Sequence, residues 1–371
     1  MNILVTGANG FIGKNLVVRL NELGLNVLKF CRENSIQELE GLIKDADVIV
    51  HLAGENRPKR TKDFNVVNVG LTSSICKTLK VLKKNIPIVM ASSTQANFDN
   101  PYGKSKLGAE FILDEFEIDT GCPVYVYRLP SIFGKWCKPN YNSVIATFCY
   151  NISHNIPIQI NNAYSELSLI YIDDVIEEFV KVINGKTIDK EKLSINPVYK
   201  IKLGDLANQI IAFKESRESL ILDEVGTGFM RKLYSTYLSY LSPEQFSYPI
   251  PSHSDKRGIF AEVLKTKNSG QISFFTVNVG ETRGGHYHHS KNEKFLVVQG
   301  EAKFGFKNII TDETYEISTT SKNLKIIETI PGWSHNITNI GNNVMIVILW
   351  ANELFNPNKP DTLNYEMNRK I

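Results

Sequence analysis

Gly7-Ala8-Asn9-Gly10-Phe11-Ile12-Gly13 follows the apolar run Ile3-Leu4-Val5 and leads into a helical pattern that continues to about residue 23. Glycines here let the turn bend and let the backbone approach a pyrophosphate, which then faces the free N–H groups of the helix N-terminus. A glycine-rich heptapeptide alone is a weak signal and can be an ordinary turn. Placed between a strand and a helix, it predicts a dinucleotide site formed by Gly7, Asn9, Gly10, Phe11, Ile12 and Gly13. Outward from this turn, strand-like segments recur at 26–30, 48–52, 86–92 and 124–127, with helical stretches between them. That alternation predicts an α/β Rossmann-type domain with a parallel sheet and right-handed crossovers.

The end of the second strand should discriminate between the two nicotinamide cofactors. A carboxylate there binds the ribose 2′-hydroxyl, whereas an arginine accommodates a 2′-phosphate. The sequence reads Phe30-Cys31-Arg32, with no carboxylate before Glu33. Arg32 therefore favours NADPH, against the plain alternative of a surface arginine at a strand end. Further on, Tyr102 and Lys106 are four residues apart at the start of a helical stretch and share one face. A tyrosine titrates near pH 10 unaided (about 10). A neighbouring ammonium favours the phenolate and makes the pair a usable proton donor or acceptor. Such a pair is usually structural, but Ser92-Ser93-Thr94 ends the preceding strand just upstream, and a hydroxyl there can hydrogen-bond a substrate carbonyl.

Composition narrows the class. With 371 residues, two domains are favoured over one. Lys+Arg total 42 against 39 Asp+Glu, a balance of +3 that argues against a nucleic-acid partner or a polybasic membrane contact. The longest apolar run, Val344 to Ala351, is strand-sized and well short of the roughly 18 residues of a membrane helix. No basic leader precedes the first strand, and the five cysteines (Cys31, Cys76, Cys122, Cys137, Cys149) lack metal spacing. They read as reduced thiols of a cytoplasmic protein. Cys137 and His51 are expected to be packed residues.

From about residue 260 the texture becomes short β-rich runs punctuated by Gly, Asn and Ser, the pattern of a sandwich or barrel. The proline-bearing stretch 238–254 is the expected connection, giving domains 1–245 and 246–371. Four of the seven histidines fall between positions 286 and 335. Gly280, five residues, His286-Tyr287-His288, four residues, Glu293, six residues and Gly300 match the first cupin motif; Gly332-Trp333-Ser334-His335 is a partial second. In a strand His286 and His288 point one way and His289 the other. His286, His288, Glu293 and His335 are thus expected to converge inside an all-β cupin barrel as an N₃O site for a divalent metal such as zinc. The competing reading is coincidental surface histidines.

Residues 1–240 resemble the extended short-chain dehydrogenase/reductases. The resemblance rests on Gly7/Gly10/Gly13, Val50-His51-Leu52-Ala53-Gly54, Asn68, Ser93, Tyr102, Lys106, Tyr127-Arg128 and Tyr171-Ile172-Asp173-Asp174-Val175. It implies that Leu52, Ala53, Gly54, Asn68 and Lys106 line the cofactor, that Ser93 polarises a ketone, and that the substrate is a nucleotide-sugar. The related 4,6-dehydratases carry Asp-Glu after the catalytic hydroxyl residue. Here Gln95 and Ala96 follow, so reduction is expected and elimination is not.

Asp255-Lys256-Arg257-Gly258-Ile259-Phe260-Ala261-Glu262 resembles the opening of deoxysugar epimerase cupins, which implies sugar contacts for Arg257 and Glu262. Over nearly the full length, with 133–150 as the most specific stretch, the chain is similar to bifunctional capsular-polysaccharide enzymes. That implies a homodimer with a zinc cupin. The same resemblance implies that the cupin would epimerise C3 of a UDP-linked 2-acetamido-2,6-dideoxy-4-hexulose and that the reductase domain would then reduce C4 with NADPH, yielding UDP-2-acetamido-2,6-dideoxy-L-talose. His289, Tyr287 and Lys294 stay undistinguished as the proton-transfer group. The rival readings are an NAD-retaining nucleotide-sugar 4-epimerase with a structural cupin, and a non-enzymatic redox-sensing scaffold.

Overall fold

The computed structural model describes residues 1–185 and 193–365. The first strands and helices run β1 (Asn2–Thr6), α1 (Phe11–Glu22), β2 (Asn26–Phe30), α2 (Ile36–Asp45), β3 (Val48–His51), α3 (Gly70–Leu82), β4 (Ile88–Ser93), α4 (Pro101–Thr120) and β5 (Val124–Leu129). The five strands form a parallel sheet in the order β2-β1-β3-β4-β5. Helices cover both faces, so a central strand such as β3 is buried at every residue and reads as one apolar run. One core layer joins Leu16, Val17 and Leu20 of α1 to Val5, Val50 and Val89. The other joins Leu39, Ile75, Leu79 and Leu113 to Leu4, Ile49 and Ile88.

Local chemistry sets the helix starts. Ser35 and Glu38 form a reciprocal capping box at α2. Asn100 caps α4 through the Gly103 amide at 2.8 Å, and Pro101 occupies its first turn, where no amide donor is needed. Winding reverses between β1 and β3, so the crevice beyond their C-terminal ends is the topological switch point.

The chain continues through β6 (Ser131–Phe133), α5 (Val144–Ser153), β7 (Glu166–Tyr171), α6 (Ile172–Ile183), β8 (Tyr199–Lys202), α7 (Leu203–Ser219), β9 (Ile221–Leu222) and α8 (Gly228–Leu238). β6, β7 and β8 make a small separate sheet.

Then come β10 (Ser252–Asp255), β11 (Gly258–Thr266), β12 (Gly270–Val277), β13 (Thr282–Tyr287), β14 (Glu293–Gln299), β15 (Glu301–Asn308), β16 (Thr314–Thr320), β17 (Ile326–Glu328), β18 (Trp333–Asn339), β19 (Met345–Ala351) and β20 (Leu363–Asn364). They form two antiparallel sheets, β10-β11-β12-β19-β14-β17 and β16-β15-β18-β13-β20. Alternate residues, including Phe275, Val277, Phe295, Val297, Phe304, Phe306, Val347 and Leu349, make one core.

Residues 1–210 and 228–241 make one compact unit; 211–227 and the chain from Ser242 onward make the second. Segment 211–227 goes with the second because β9 pairs in parallel with β11, at Lys265↔Ile221 and Thr266↔Leu222. Among the described residues, no helix is long and apolar enough to cross a membrane.

The turn after β1 has no spare room. A Cβ on Gly13 would lie 2.3 Å from the Gly7 carbonyl oxygen and 2.8 Å from the Ala8 Cα. Gly13→Ala is therefore expected to displace the turn and cost about 1–3 kcal/mol; thermal unfolding of the full chain checks it, and an unchanged midpoint would refute the packing argument.

Candidate active site and metal centre

The switch-point crevice is built by backbone contact. Gly7 takes a φ of +68° and donates its amide to the Phe30 carbonyl at 2.8 Å. A Cβ on it would sit 2.8 Å from the Ala53 backbone, so the turns after β1 and β3 touch. Thr6 Oγ1 ties them further, accepting from the Leu52 and Ala53 amides, each at 3.1 Å. α1 starts without a side-chain cap, leaving its first amides for an anionic group. Beside this turn an open cavity of about 510 Å³ is lined by Asn9, Lys14, Lys29 and Trp136. The glycine cradle and uncapped helix start fit a dinucleotide.

His51 is a packing residue, as the sequence suggests. Its ring is buried and bonded to Thr6 at 2.8 Å and Thr72 at 3.0 Å. Burial, with the nearby Lys106 charge, lowers its pKa to about 3, so it stays neutral.

Asn68 lies in a π-helical turn, Asn65–Val69, a type of irregularity common at functional sites. Its Oδ1 accepts from the Glu55 amide at 2.8 Å, and its Nδ2 donates to the Glu55 carbonyl and to Ser105 Oγ. It thereby anchors the Gly54–Glu55 loop to α4. Arg32 follows β2, but its exposed guanidinium meets Glu55 Oε2 at 2.9 Å. Glu55 is itself held by the Asn56 and Arg57 amides.

Ser93 ends β4, and Tyr102 lies in the first turn of α4, its phenol near enough to Ser93 for that hydroxyl to favour the phenolate. Lys106 lies one turn further on, buried, with Nζ donating to the Ala91 carbonyl at 3.0 Å. A Cβ on Gly54 would come within 3.2 Å of that Nζ, so Ser93, Tyr102, Lys106 and the Leu52–Gly54 turn border one space.

The expected electrostatics need one correction. Tyr102 is raised above its ordinary value, because burial dominates and only the Ser93 bond opposes it. The Lys106 ammonium, aimed at Ala91, does not lower it. Lys106 itself falls to about 8 through burial, partly offset by Glu110.

Glu110 is a residue the sequence reading missed. It lies four residues after Lys106, buried, and accepts from Arg128 at 2.6 Å (Nη2) and 3.0 Å (Nε) and from the Ser92 hydroxyl. The i, i+4 spacing from Lys106 was its only signal.

In the second unit His286, His288, Glu293 and His335 do converge, with one potential ligand atom from each all within 4.8 Å of one another. His286 pairs with His335 across β13 and β18, next to a bulge at Gly284 that re-aims the strand. His288 Nε2 lies 3.3 Å, and His335 Nε2 3.4 Å, from Glu293 Oε2. Lys291 Nζ meets Glu293 Oε1 at 2.8 Å.

Burial alone would raise the Glu293 pKa; His288, His335 and the Lys291 charge outweigh it and hold the carboxyl well below its usual range. Burial, with His335 beside it, pushes His286 down to about 3, the neutral form a ligand requires. Neither buried nitrogen of His335 makes a hydrogen bond among the described residues. Three imidazoles, one carboxylate and an unsatisfied buried ring fit a divalent transition metal.

His289 is exposed and directed elsewhere, with its amide on Asp361. Arg257 is paired with Asp255 at 2.6 Å in the turn before β11. Glu262 pairs with Lys265 at 2.7 Å and stands opposite Ser273. Among the described residues, no hydrogen bond or ion pair joins Arg257 or Glu262 to the four-residue cluster. Asp361, from the far end of the chain, also escaped the sequence reading. Its carboxylate is held well below its usual range: burial would raise it, but the amides of His289, Ser290 and Lys291 prevail.

Residues 3–196 match the NAD dependent epimerase/dehydratase family, and residues 253–363 match the polysaccharide biosynthesis C-terminal domain. The chain is 52% identical over 363 residues, 98% of both chains, to the UDP-2-acetamido-2,6-beta-L-arabino-hexul-4-ose reductase of Pseudomonas aeruginosa. It superposes on the capsular polysaccharide assembling protein CapF of Staphylococcus aureus with a TM-score of 0.93 and 44% identity, covering 99% of this chain and 100% of that one. A UDP-glucuronic acid 4-epimerase from Bacillus cereus shares the fold alone, at 19% identity and TM-score 0.51 over 58% of this chain and 83% of its own. A glycine cradle and Ser–Tyr–Lys set in front, and a β-rich domain behind, thus agree with both family matches: the chain belongs to the NAD dependent epimerase/dehydratase family, in the group of CapF and the Pseudomonas reductase.

Proposed function

We propose that the chain is a bifunctional nucleotide-sugar enzyme of capsule or O-antigen synthesis. It epimerises C3 of a UDP-2-acetamido-2,6-dideoxy-4-hexulose in a metal-binding cupin domain (246–371). In the reductase domain (1–245) it reduces C4 with NADPH to UDP-2-acetamido-2,6-dideoxy-L-talose. The observation that carries the reading is that one chain holds both a Ser93–Tyr102–Lys106 set beside a dinucleotide cradle and a buried N₃O cluster. The group's known names supply the substrate class, since the Pseudomonas relative is named a UDP-hexul-4-ose reductase. The same reading takes the protein as a cytoplasmic homodimer.

The order of steps follows from the sugar. A C4 ketone acidifies the C3 proton, and reduction destroys that activation, so epimerisation comes first. His286, His288, Glu293 and His335 would hold the metal, which when bound supplies a Lewis acid for a carbonyl oxygen. NADPH, when bound, supplies the hydride. Ser93 orients the C4 oxygen by hydrogen bond, and Tyr102 delivers its proton. Lys106 keeps a positive charge beside the site while it remains protonated, and Glu110 supports that charge from one turn away.

Three outcomes test this. Tyr102→Phe should lower NADPH oxidation by roughly 10²–10⁴-fold and spare deuterium exchange at C3, whereas His288→Ala should abolish the exchange; loss of the exchange in Tyr102→Phe, or its survival in His288→Ala, would remove the two-site division. The reduction rate should fall as pH rises through about 8, where Lys106 loses its proton, and Glu110→Gln should move that limb to lower pH because its carboxylate raises Lys106; superimposable pH profiles would contradict this. Glu55→Gln frees Arg32 from an exposed pair worth about 0.2–1 kcal/mol and should raise the NADPH-to-NADH ratio of kcat/KM a few-fold, while Arg32→Ala should erase it. Two unchanged ratios would strip Arg32 of its role.

A further inference from the structure

The segment 361–365 lies against the four-residue cluster, although 26 to 79 positions separate it from those residues along the chain. β20 pairs with β13 at His286↔Asn364 and Tyr287↔Leu363. The Tyr365 amide donates to the Gly285 carbonyl at 2.8 Å, and Ser334 Oγ donates to the Tyr365 carbonyl at 2.6 Å. These bonds hold the segment beside β13 and β18, which carry His286 and His335.

Asp361 makes the densest set of contacts. Its Oδ1 accepts from the His289 amide at 2.9 Å, and its Oδ2 accepts from the Ser290 amide at 2.6 Å, the Ser290 hydroxyl at 3.0 Å and the Lys291 amide at 2.8 Å. Three consecutive amides therefore converge on one carboxylate. The main-chain carbonyl of the same residue bonds His288 Nδ1. A carbonyl can only accept, so Nδ1 carries the proton, and in the neutral ring Nε2 is left with the lone pair. That nitrogen is the one 3.3 Å from Glu293. The gripped loop ends on Lys291, whose ammonium lies on the other Glu293 oxygen.

We infer that Asp361 is the positioning residue of the metal centre. Its side chain locks residues 289–291, which holds its own carbonyl on His288 Nδ1 and fixes the direction of the His288 lone pair. Outer partners of this kind set ligand orientation and basicity, and losing one commonly costs 10- to 100-fold in metal affinity, an order-of-magnitude range (~10–100-fold). The inference rests on the metal reading given above.

The test uses the full chain, with Zn²⁺ affinity measured by chelator competition and ligand geometry by the visible spectrum of the Co²⁺ form. Asp361→Ala should bind Zn²⁺ about 10- to 100-fold more weakly and alter the Co²⁺ spectrum. Asp361→Asn, which keeps one acceptor oxygen, should fall between it and the parent. If Asp361→Ala does not fold, Asp361→Asn decides on the same two readouts. A lowered unfolding temperature with unchanged Zn²⁺ affinity and Co²⁺ spectrum would overturn the assignment and leave a merely structural role. A parent chain that binds neither ion would instead overturn the metal reading, and this inference with it.

Discussion

No side-chain carbon fits between the turn after β1 and the turn after β3. The backbone of Gly7 meets that of Ala53, and the Thr6 hydroxyl bridges to the two amides beyond His51. This closeness places the start of α1 directly beside the Leu52–Gly54 turn, and Gly54 in turn adjoins the Lys106 ammonium and Asn68. The glycine turn after β1 and the Lys106 end of the first unit are therefore positioned by one chain of contacts. An extra methyl group at its tightest point would disturb both.

The second unit depends on a different constraint, a buried negative charge. Among the described residues, Glu293 sits among three histidines with Lys291 as its one formal counter-charge. An isolated buried carboxylate is unfavourable, so its surroundings must answer it with donors or a cation. Strand pairing brings the site together from separate places: His286 and His335 face one another across β13 and β18, while Glu293 begins β14, its amide donating to the Thr329 hydroxyl. The site is shared among several strands.

The alternating order of the first unit was readable because strands buried on both faces leave continuous apolar runs. The run expected at 86–92 begins as a strand only at Ile88, since Pro87 has no amide for the ladder. β16 escaped notice because it is mostly exposed and shows no apolar alternation. The four clustered residues His286, His288, Glu293 and His335 were readable from spacing, since strand periodicity and a short loop bring them together. Glu110 and Asp361 were not, because each acts on a functional residue and is itself marked by no motif. The Tyr102–Lys106 electrostatics were read the wrong way for a related reason: helical spacing gives a shared face, but only the tertiary fold shows that the ammonium turns to Ala91.

β2 stands at the margin of its sheet, with a neighbour on one side only and with Asn26 and Lys29 exposed. Phe30 belongs to one core layer and Val27 packs on the other, but substitutions at the exposed Asn26, Lys29 and Arg32 leave both layers untouched. The surface that the proposed reading gives to the adenosine end of a nicotinamide can thus drift in sequence while the fold is retained. On that reading, redox-carrier preference and protein stability are separately adjustable traits.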